Sequence, residues 1–180
     1  MIRLRIRNHS ESRGVGTVEE KSLIEGKKIL LVDDEPDVLE TLRGLLSMCE
    51  VVEATNFKQA KKLLETQDFD MAILDIMGVD GYELLRIANE RKVIGVMLTA
   101  HALSPDHIVK SHREGAASYL PKEQMQNIAV FLNDIFEAKE KGKNPWWRWL
   151  DRLGSYWEKK FGPNWKKGES EFWRRFPFQE

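Results

Sequence analysis

A short uncharged segment that ends in an aspartate constrains the fold of this chain more than any other feature. Residues 71–74 read Met-Ala-Ile-Leu, Asp75 ends the run, and the turn residues of 76–81 precede a helical pattern. An apolar run without alternation is typical of a parallel strand that is buried on both faces. Open α/β sheets bind ligands at the carboxyl ends of their strands, which makes Asp75 a candidate site residue. An aspartate at a strand end is also an ordinary turn former.

The same strand-then-helix pattern occurs five times along the chain. The predicted strands are residues 27–32, 51–54, 71–74, 93–98 and 116–120. Repeats of this length predict an α/β fold in which a five-stranded parallel sheet carries helices on both faces. Right-handed crossovers then place the carboxyl ends of all strands along one edge.

Polar side chains are expected to meet at that edge. In chain order, the set is Asp33, Asp34, Asp75, Thr99 and Lys122. Two carboxylates ~4 Å apart repel by about 4 kcal/mol at an effective dielectric constant of about 20, and a hard divalent cation relieves that repulsion. Oxygen ligands favour Mg²⁺. A lysine and a hydroxyl suit an incoming phosphoryl group, which Asp75 can accept as an aspartyl phosphate.

Each of these residues also has an ordinary structural interpretation. Asp33 and Asp34 precede a proline and suit the start of a helix. Thr99 would satisfy backbone groups at a strand end, and Lys122 would be a solvated surface charge. Their joint occurrence on successive strand ends favours the functional interpretation.

Four short motifs carry these side chains. They are Leu-Val-Asp-Asp-Glu at 31–35, Ile-Leu-Asp-Ile-Met at 73–77, Leu-Thr-Ala at 98–100 and Tyr-Leu-Pro-Lys at 119–122. In these motifs the chain resembles the receiver domain of bacterial two-component response regulators. The resemblance covers residues 27–138 and implies a flavodoxin-like, doubly wound sheet with strand order 2-1-3-4-5.

The resemblance implies a metal site and a phosphoacceptor. Asp34 and Asp75 would ligate Mg²⁺ directly, joined by the backbone carbonyl of Met77, and Asp33 would assist through water. Asp75 would take the phosphoryl group from the phosphohistidine of a sensor histidine kinase or from a phosphotransfer protein.

The remaining positions of the motifs imply how the phosphate is held and sensed. Thr99 would hydrogen-bond the phosphate and Lys122 would pair with it. Tyr119 would be the switch aromatic, which turns inward as Thr99 moves.

Two features depart from the usual pattern of that family. The loop 76–81 is two residues shorter than usual and lacks the common proline, which bears on the Met77 carbonyl and on the kinase-docking face. His101 lies near the phosphate entrance, where it could titrate near neutrality. The alternative is an exposed histidine without a role. A phosphatase of related topology would instead need a second acid two residues after Asp75, where Met77 stands.

Composition indicates the cellular compartment of the chain and the character of its first segment. The single Cys49 excludes an internal disulfide and fits a reducing compartment. No apolar stretch approaches the roughly 20 residues that span a bilayer, and the first residues lack the apolar region of a secretory signal. We therefore expect a cytoplasmic protein. Residues 1–26 are predicted to be a mobile extension, with a strand added to a sheet edge as the alternative.

Residues 139–180 are predicted to form a basic, Trp-rich helical tail. They contain all six tryptophans and carry 11 basic and 6 acidic side chains, against 12 and 19 in residues 27–138. An amphipathic helix is predicted between Asn144-Pro145 and Gly162-Pro163. Its apolar face consists of Trp146, Trp149, Leu150, Leu153, Trp157 and Phe161. This face would pack on the preceding domain, bind a partner or second copy, or lie on an anionic membrane or nucleic acid.

These expectations combine into one function. The chain is predicted to be a single-receiver response regulator that signals through phosphorylation-dependent contacts with a downstream protein. Formation of a homodimer is a further option. It is expected not to be an enzyme beyond self-phosphorylation and autodephosphorylation, and not to bind DNA. The alternative is a phosphorylation-gated tail that binds a membrane surface or nucleic acid as the direct output.

Overall fold

The computed structural model of the chain describes residues 22–100 and 104–176. Within them a five-stranded sheet forms the centre. Its strands are β1 (Lys28–Val32), β2 (Glu50–Ala54), β3 (Met71–Asp75), β4 (Ile94–Thr99) and β5 (Ser118–Pro121). All neighbouring pairs are parallel and the order is β2-β1-β3-β4-β5, which confirms the predicted topology. All five residues of β3 are buried, as its uncharged run predicts.

The register of the sheet aligns the strand ends. Asp75 at the end of β3 lies opposite Leu98, and Thr99 at the end of β4 lies opposite Pro121. Lys122 directly follows Pro121. The parallel arrangement therefore brings the polar residues that follow the strands to one edge.

Five helices accompany the strands. They are α1 (Pro36–Leu45), α2 (Phe57–Thr66), α3 (Gly81–Glu90), α4 (Pro105–Arg113) and α5 (Ile128–Glu140). Right-handed crossovers put α1 beside α5 on one face and α2 beside α3 on the other. Local sequence sets several starts: Pro36 opens α1, and the Asn56 side chain caps α2 by accepting the Gln59 N–H at 3.0 Å. A 3₁₀ helix, Lys122–Asn127, precedes α5.

Residues 22–26 pack on this α/β unit. Ile24 is fully buried, and the Leu23 N–H donates to the Asn133 side chain of α5 at 2.7 Å. Residues 22–26, which precede the expected boundary at Lys27, are thus part of the packed unit. The rest of the predicted N-terminal extension lies outside the described residues.

The tail continues as α6 (Trp146–Phe161) and α7 (Ser170–Arg175), and α6 ends at Gly162 as predicted. The apolar face of α6 packs on β5: the Trp146 indole donates to the Ala116 carbonyl at 2.8 Å and the Trp149 indole donates to the Tyr119 carbonyl at 2.6 Å. Because β5 is the edge strand, the Trp149 indole meets a carbonyl that no further strand would pair, whereas Ala116 lies just before the strand. Of the three surfaces considered for the aromatic face, the structure places it on the α/β unit.

An ionic cluster joins α6 to α5. The buried carboxylate of Asp134 accepts Arg148 at 2.9 Å and also pairs with Arg152, and Arg148 reaches Glu137 as well. Burial opposes ionisation, but the hydrogen bonds and charges of the two arginines outweigh it and lower the pKa of Asp134. Across the described ranges, no helix has the length and apolarity to cross a membrane.

Candidate functional site

Three carboxylates lie together at the edge of the sheet where the strands end. Asp33 and Asp34 follow β1 and Asp75 ends β3, and one oxygen of each lies within 4.8 Å of the others. Asp33 and Asp75 are buried, whereas Asp34 is exposed. Clustered carboxylate oxygens are the donor set of a hard cation, and their mutual repulsion favours binding one. The residues present therefore fit Mg²⁺.

Lys122 supplies the cation at the centre of this cluster. Its ammonium lies 2.7 Å from Asp33, 3.2 Å from Asp75 and 2.8 Å from Glu35. Burial disfavours its charge, but the hydrogen bonds and charges of the carboxylates outweigh burial and raise the pKa of Lys122. The side chain is only 9% exposed. The interpretation of Lys122 as a solvated surface charge is thereby excluded.

Burial acts in opposite directions on the pKa values of Asp33 and of its partner Lys122. Desolvation raises the pKa of the Asp33 carboxyl, and Asp75 adds to that rise, while Lys122 and the Glu35 N–H oppose it. That N–H donates to Asp33 at 3.0 Å. Asp33 thus contacts both Glu35, the residue before α1, and Lys122.

The short loop after Asp75 wraps closely around the site. The Gly78 N–H donates to the second carboxylate oxygen of Asp75 at 2.9 Å. Ile76 and Val79 are buried and anchor the loop, whereas Met77 between them is 65% exposed. The exposed Met77 lines the entrance, and the role of its backbone carbonyl as a metal ligand stays a prediction.

Two glycines permit this wrapping. A Cβ at Gly78 would overlap the Asp34 carboxylate, and a Cβ at Gly81 would overlap the Asp75 backbone carbonyl. Asp80 adopts left-handed backbone angles, with φ 55°, at the start of α3. The short loop is therefore accommodated by close backbone approach at the glycines and by one left-handed residue.

Thr99 and Tyr119 lie close to each other on the neighbouring strands β4 and β5. Both side chains are buried, at the end of β4 and within β5. Burial raises the pKa of Tyr119, and the nearby Thr99 hydroxyl opposes that rise. The predicted switch pair is therefore adjacent, with Tyr119 in a buried orientation.

An open cleft of about 310 Å³ leads to Asp75. Its lining residues are Asp34, Glu35, Asp75, Met77, Gly78, Ala100 and Lys122. A charged group from solvent would reach Asp75 by this path. His101 lies outside the described residues, so its predicted place near the entrance stays a prediction.

The structure brings the sequence-predicted site residues to this one edge and adds two that sequence reasoning did not assign. Glu35 contacts Lys122, although its position after the acidic pair indicated only the start of a helix. Gly78 donates to Asp75 and borders Asp34. The shortened loop was the available signal for Gly78; contact between Glu35 and a lysine 87 positions away had none.

Comparison with known proteins agrees with this geometry. The family model described as the response regulator receiver domain matches residues 29–131, which is more than half of the chain. A two-component response regulator of Arabidopsis thaliana is 34% identical over 66% of this chain and 22% of its own length. A response regulator of Aneurinibacillus migulanus is 32% identical over 63% of this chain and 51% of its own length. The chain thus spans about a fifth to a half of the length of these relatives.

Solved structures show the same likeness. The CheY-like response regulator receiver domain protein of Methanospirillum hungatei superposes with a TM-score of 0.59 and 27% identity. The match covers 65% of this chain and 98% of that protein. The α/β unit is therefore similar to a complete receiver domain, and the tail lies beyond the matched family region.

Proposed function

The chain belongs to the response regulator receiver domain family, and from that premise we propose that Asp75 accepts a phosphoryl group and signals through protein contacts. The family is a signalling family of two-component systems in which phosphorylation and Mg²⁺ binding are typical. Its response regulator homologues imply interaction with histidine kinases or phosphotransfer proteins. The observation that carries the proposal is the joint position of three carboxylates and a buried lysine at the end of β3.

Asp34, Asp75 and the Met77 carbonyl would hold Mg²⁺, with Asp33 assisting through water. When bound, the ion neutralises negative charge on the carboxylates and on the phosphoryl oxygens. The exposed position of Asp34 leaves room for water ligands, which Mg²⁺ retains in proteins.

The side chains of the cleft would carry out the transfer. A carboxylate oxygen of Asp75 forms the new bond to phosphorus while the phosphorus–nitrogen bond of the donor phosphohistidine breaks, and the leaving imidazole keeps the electron pair. Lys122, which also contacts Glu35, would pair with the added phosphoryl oxygens. The Thr99 hydroxyl would donate to the same group, and Tyr119 would respond to its movement.

The output is proposed to be a contact with a protein partner in the cytoplasm. The alternative output, a tail that binds a membrane or nucleic acid, requires release of α6, since its Trp146, Trp149 and Trp157 side chains are buried against the α/β unit. Protein contacts require no such release.

Incubation with radiolabelled acetyl phosphate and Mg²⁺ tests the assignment of the acceptor. We expect Asp75→Asn to abolish acid-labile labelling, because an amide cannot form the acyl phosphate. Asp80→Asn is the matched control: Asp80 lies in the same loop but outside the carboxylate cluster, and asparagine tolerates its left-handed angles. Labelling of the Asp75 variant at the level of the control would exclude Asp75 as the acceptor.

A further inference from the structure

The docked helix α6 contacts the part of the domain that carries Tyr119. The two rings of Tyr119 and Trp157 lie 5.7 Å apart between centroids, and both side chains are fully buried. The Trp149 indole donates to the backbone carbonyl of the same tyrosine. The tail thus contacts both the ring and the backbone of Tyr119.

Helix α6 makes a second contact at Glu123, the residue that follows Lys122. Glu123 accepts the Tyr156 hydroxyl at 2.7 Å and pairs with Lys160 at 3.1 Å. Its neighbour Lys122 points the opposite way, into the carboxylate cluster. The segment from Tyr119 to Glu123 therefore joins the phosphoacceptor site to residues 149–160 of α6.

Docking of α6 and an outward orientation of Tyr119 exclude each other. Trp157 packs directly against the tyrosine ring with no solvent-exposed surface, so the ring cannot swing out while Trp157 is in place. The docked tail consequently selects the buried orientation of Tyr119.

The buried contact between Trp157 and Tyr119 carries a cost in free energy. Among the described residues, the buried Trp157 indole N–H has no hydrogen-bond partner. An unpaired buried donor costs about 1–3 kcal/mol. The aromatic packing of Trp157 against Tyr119 has to outweigh this cost for the helix to dock.

We propose that α6 is an intramolecular ligand of the β5 face, and that its docking and phosphorylation of Asp75 strengthen each other through Tyr119. The inference rests on the proposed function, in which Tyr119 turns inward as Thr99 engages the phosphoryl group. Linkage makes the coupling reciprocal: a phosphoryl group strengthens docking by the factor by which docking strengthens binding of that group.

The occupant of the β5 face is the chain's own residues 146–161. A five-residue connection, 141–145, joins α5 to α6, so the tail is present at a high effective concentration. Two of the described ion pairs across the interface, Arg152 with Asp134 and Lys160 with Glu123, match a basic tail to an acidic domain. A separate partner would have to displace this helix.

Equilibrium binding of beryllium fluoride with Mg²⁺, as a phosphoryl analogue, tests the coupling on the full chain. We expect Trp157→Ala to weaken its binding by about tenfold, within the usual range of coupling free energies. Trp147→Ala is the matched control, since Trp147 lies on the same helix but is 41% exposed, and its affinity is expected to stay within about twofold of the unaltered chain. Unchanged affinity in Trp157→Ala, or tighter binding, would overturn the proposal.

Amide exchange in α6 provides the reciprocal measurement. Addition of beryllium fluoride to the unaltered chain is expected to slow exchange in residues 146–161, and faster or unchanged exchange would contradict the inference. Tyr156→Phe, which keeps the ring and loses the hydroxyl's hydrogen bonds with Glu123 and Lys160, covers the case in which Trp157→Ala does not fold; a loss of about threefold is expected. Failure of Asp75 to label would remove the proposed function itself, whereas labelling without any effect on α6 would remove only this inference.

Discussion

Gly78 shows how a single residue determines the geometry of the site. Its N–H bonds to Asp75, while its missing Cβ leaves the space that the Asp34 carboxylate occupies. The loop is short, so its backbone passes between two proposed metal ligands with no room for a side chain. Glycine is required here for close approach rather than for unusual backbone angles.

Gly78→Ala is expected to displace the Asp34 carboxylate and weaken Mg²⁺ binding by about tenfold, the lower end of the effect of disturbing a metal site. Titration calorimetry with Mg²⁺ measures the affinity. Gly168→Ala is the control, because a Cβ there would meet nothing within 4 Å. Equal affinities in the two variants would show that Asp34 is not a ligand or that it relocates without loss.

At the scale of the element, α6 is held by aromatic packing and by a buried acid. Its amphipathic face supplies four buried residues, Trp146, Trp149, Leu153 and Trp157. Asp134 on α5 accepts both Arg148 and Arg152, so one carboxylate fixes two successive turns of the helix. Hydrogen bonds to a buried charge stabilise more than neutral ones.

Asp134→Ala is expected to destabilise the docked tail by about 2 kcal/mol, because both arginines lose their partner. Urea unfolding followed by Trp emission measures this, since all six tryptophans lie in the tail. Glu140→Ala, an exposed acid on the same helix, is the control. A midpoint for Asp134→Ala that equals the midpoint of this control would show that aromatic packing alone holds α6.

At the scale of the whole molecule, the tail closes an aromatic cluster over α4. His112 contacts the rings of Trp146, Phe172 and Phe176, with centroid distances of 5.1 to 5.4 Å. Burial, assisted by the charge of Arg113, lowers the pKa of His112. The folded protein therefore binds this proton more weakly than the unfolded chain does.

The free energy of unfolding is accordingly expected to fall as the pH drops below about 6.5, the ordinary pKa of histidine. The slope from one proton is at most about 1.4 kcal/mol per pH unit. His112→Phe should remove this component from urea midpoints measured at neutral and mildly acidic pH, whereas His107→Gln, on the same helix, should retain it. An unchanged pH dependence in His112→Phe would assign the effect to other groups.

The pattern of apolar residues and the order of the predicted elements along the chain were enough to predict much of the fold. Uncharged runs identified the strands, and the parallel arrangement alone placed Asp33, Asp75, Thr99 and Lys122 at one edge. The signals for the ends of helices were also local, since Asn56 caps the start of α2 and Gly162 follows the end of α6. A local departure from these regular elements lies between β5 and α5, where Lys122–Asn127 form a 3₁₀ helix.

What the sequence by itself determined is therefore the sheet, its functional edge and the amphipathic character of the tail, because these depend on spacing between near neighbours. Tertiary structure alone decided that Glu35 reaches Lys122, that Gly78 makes room for Asp34, and that the tail covers β5. An apolar stripe predicts that a face is buried without naming the surface that buries it. That choice depends on contacts between residues far apart in the chain, which only the folded arrangement brings together.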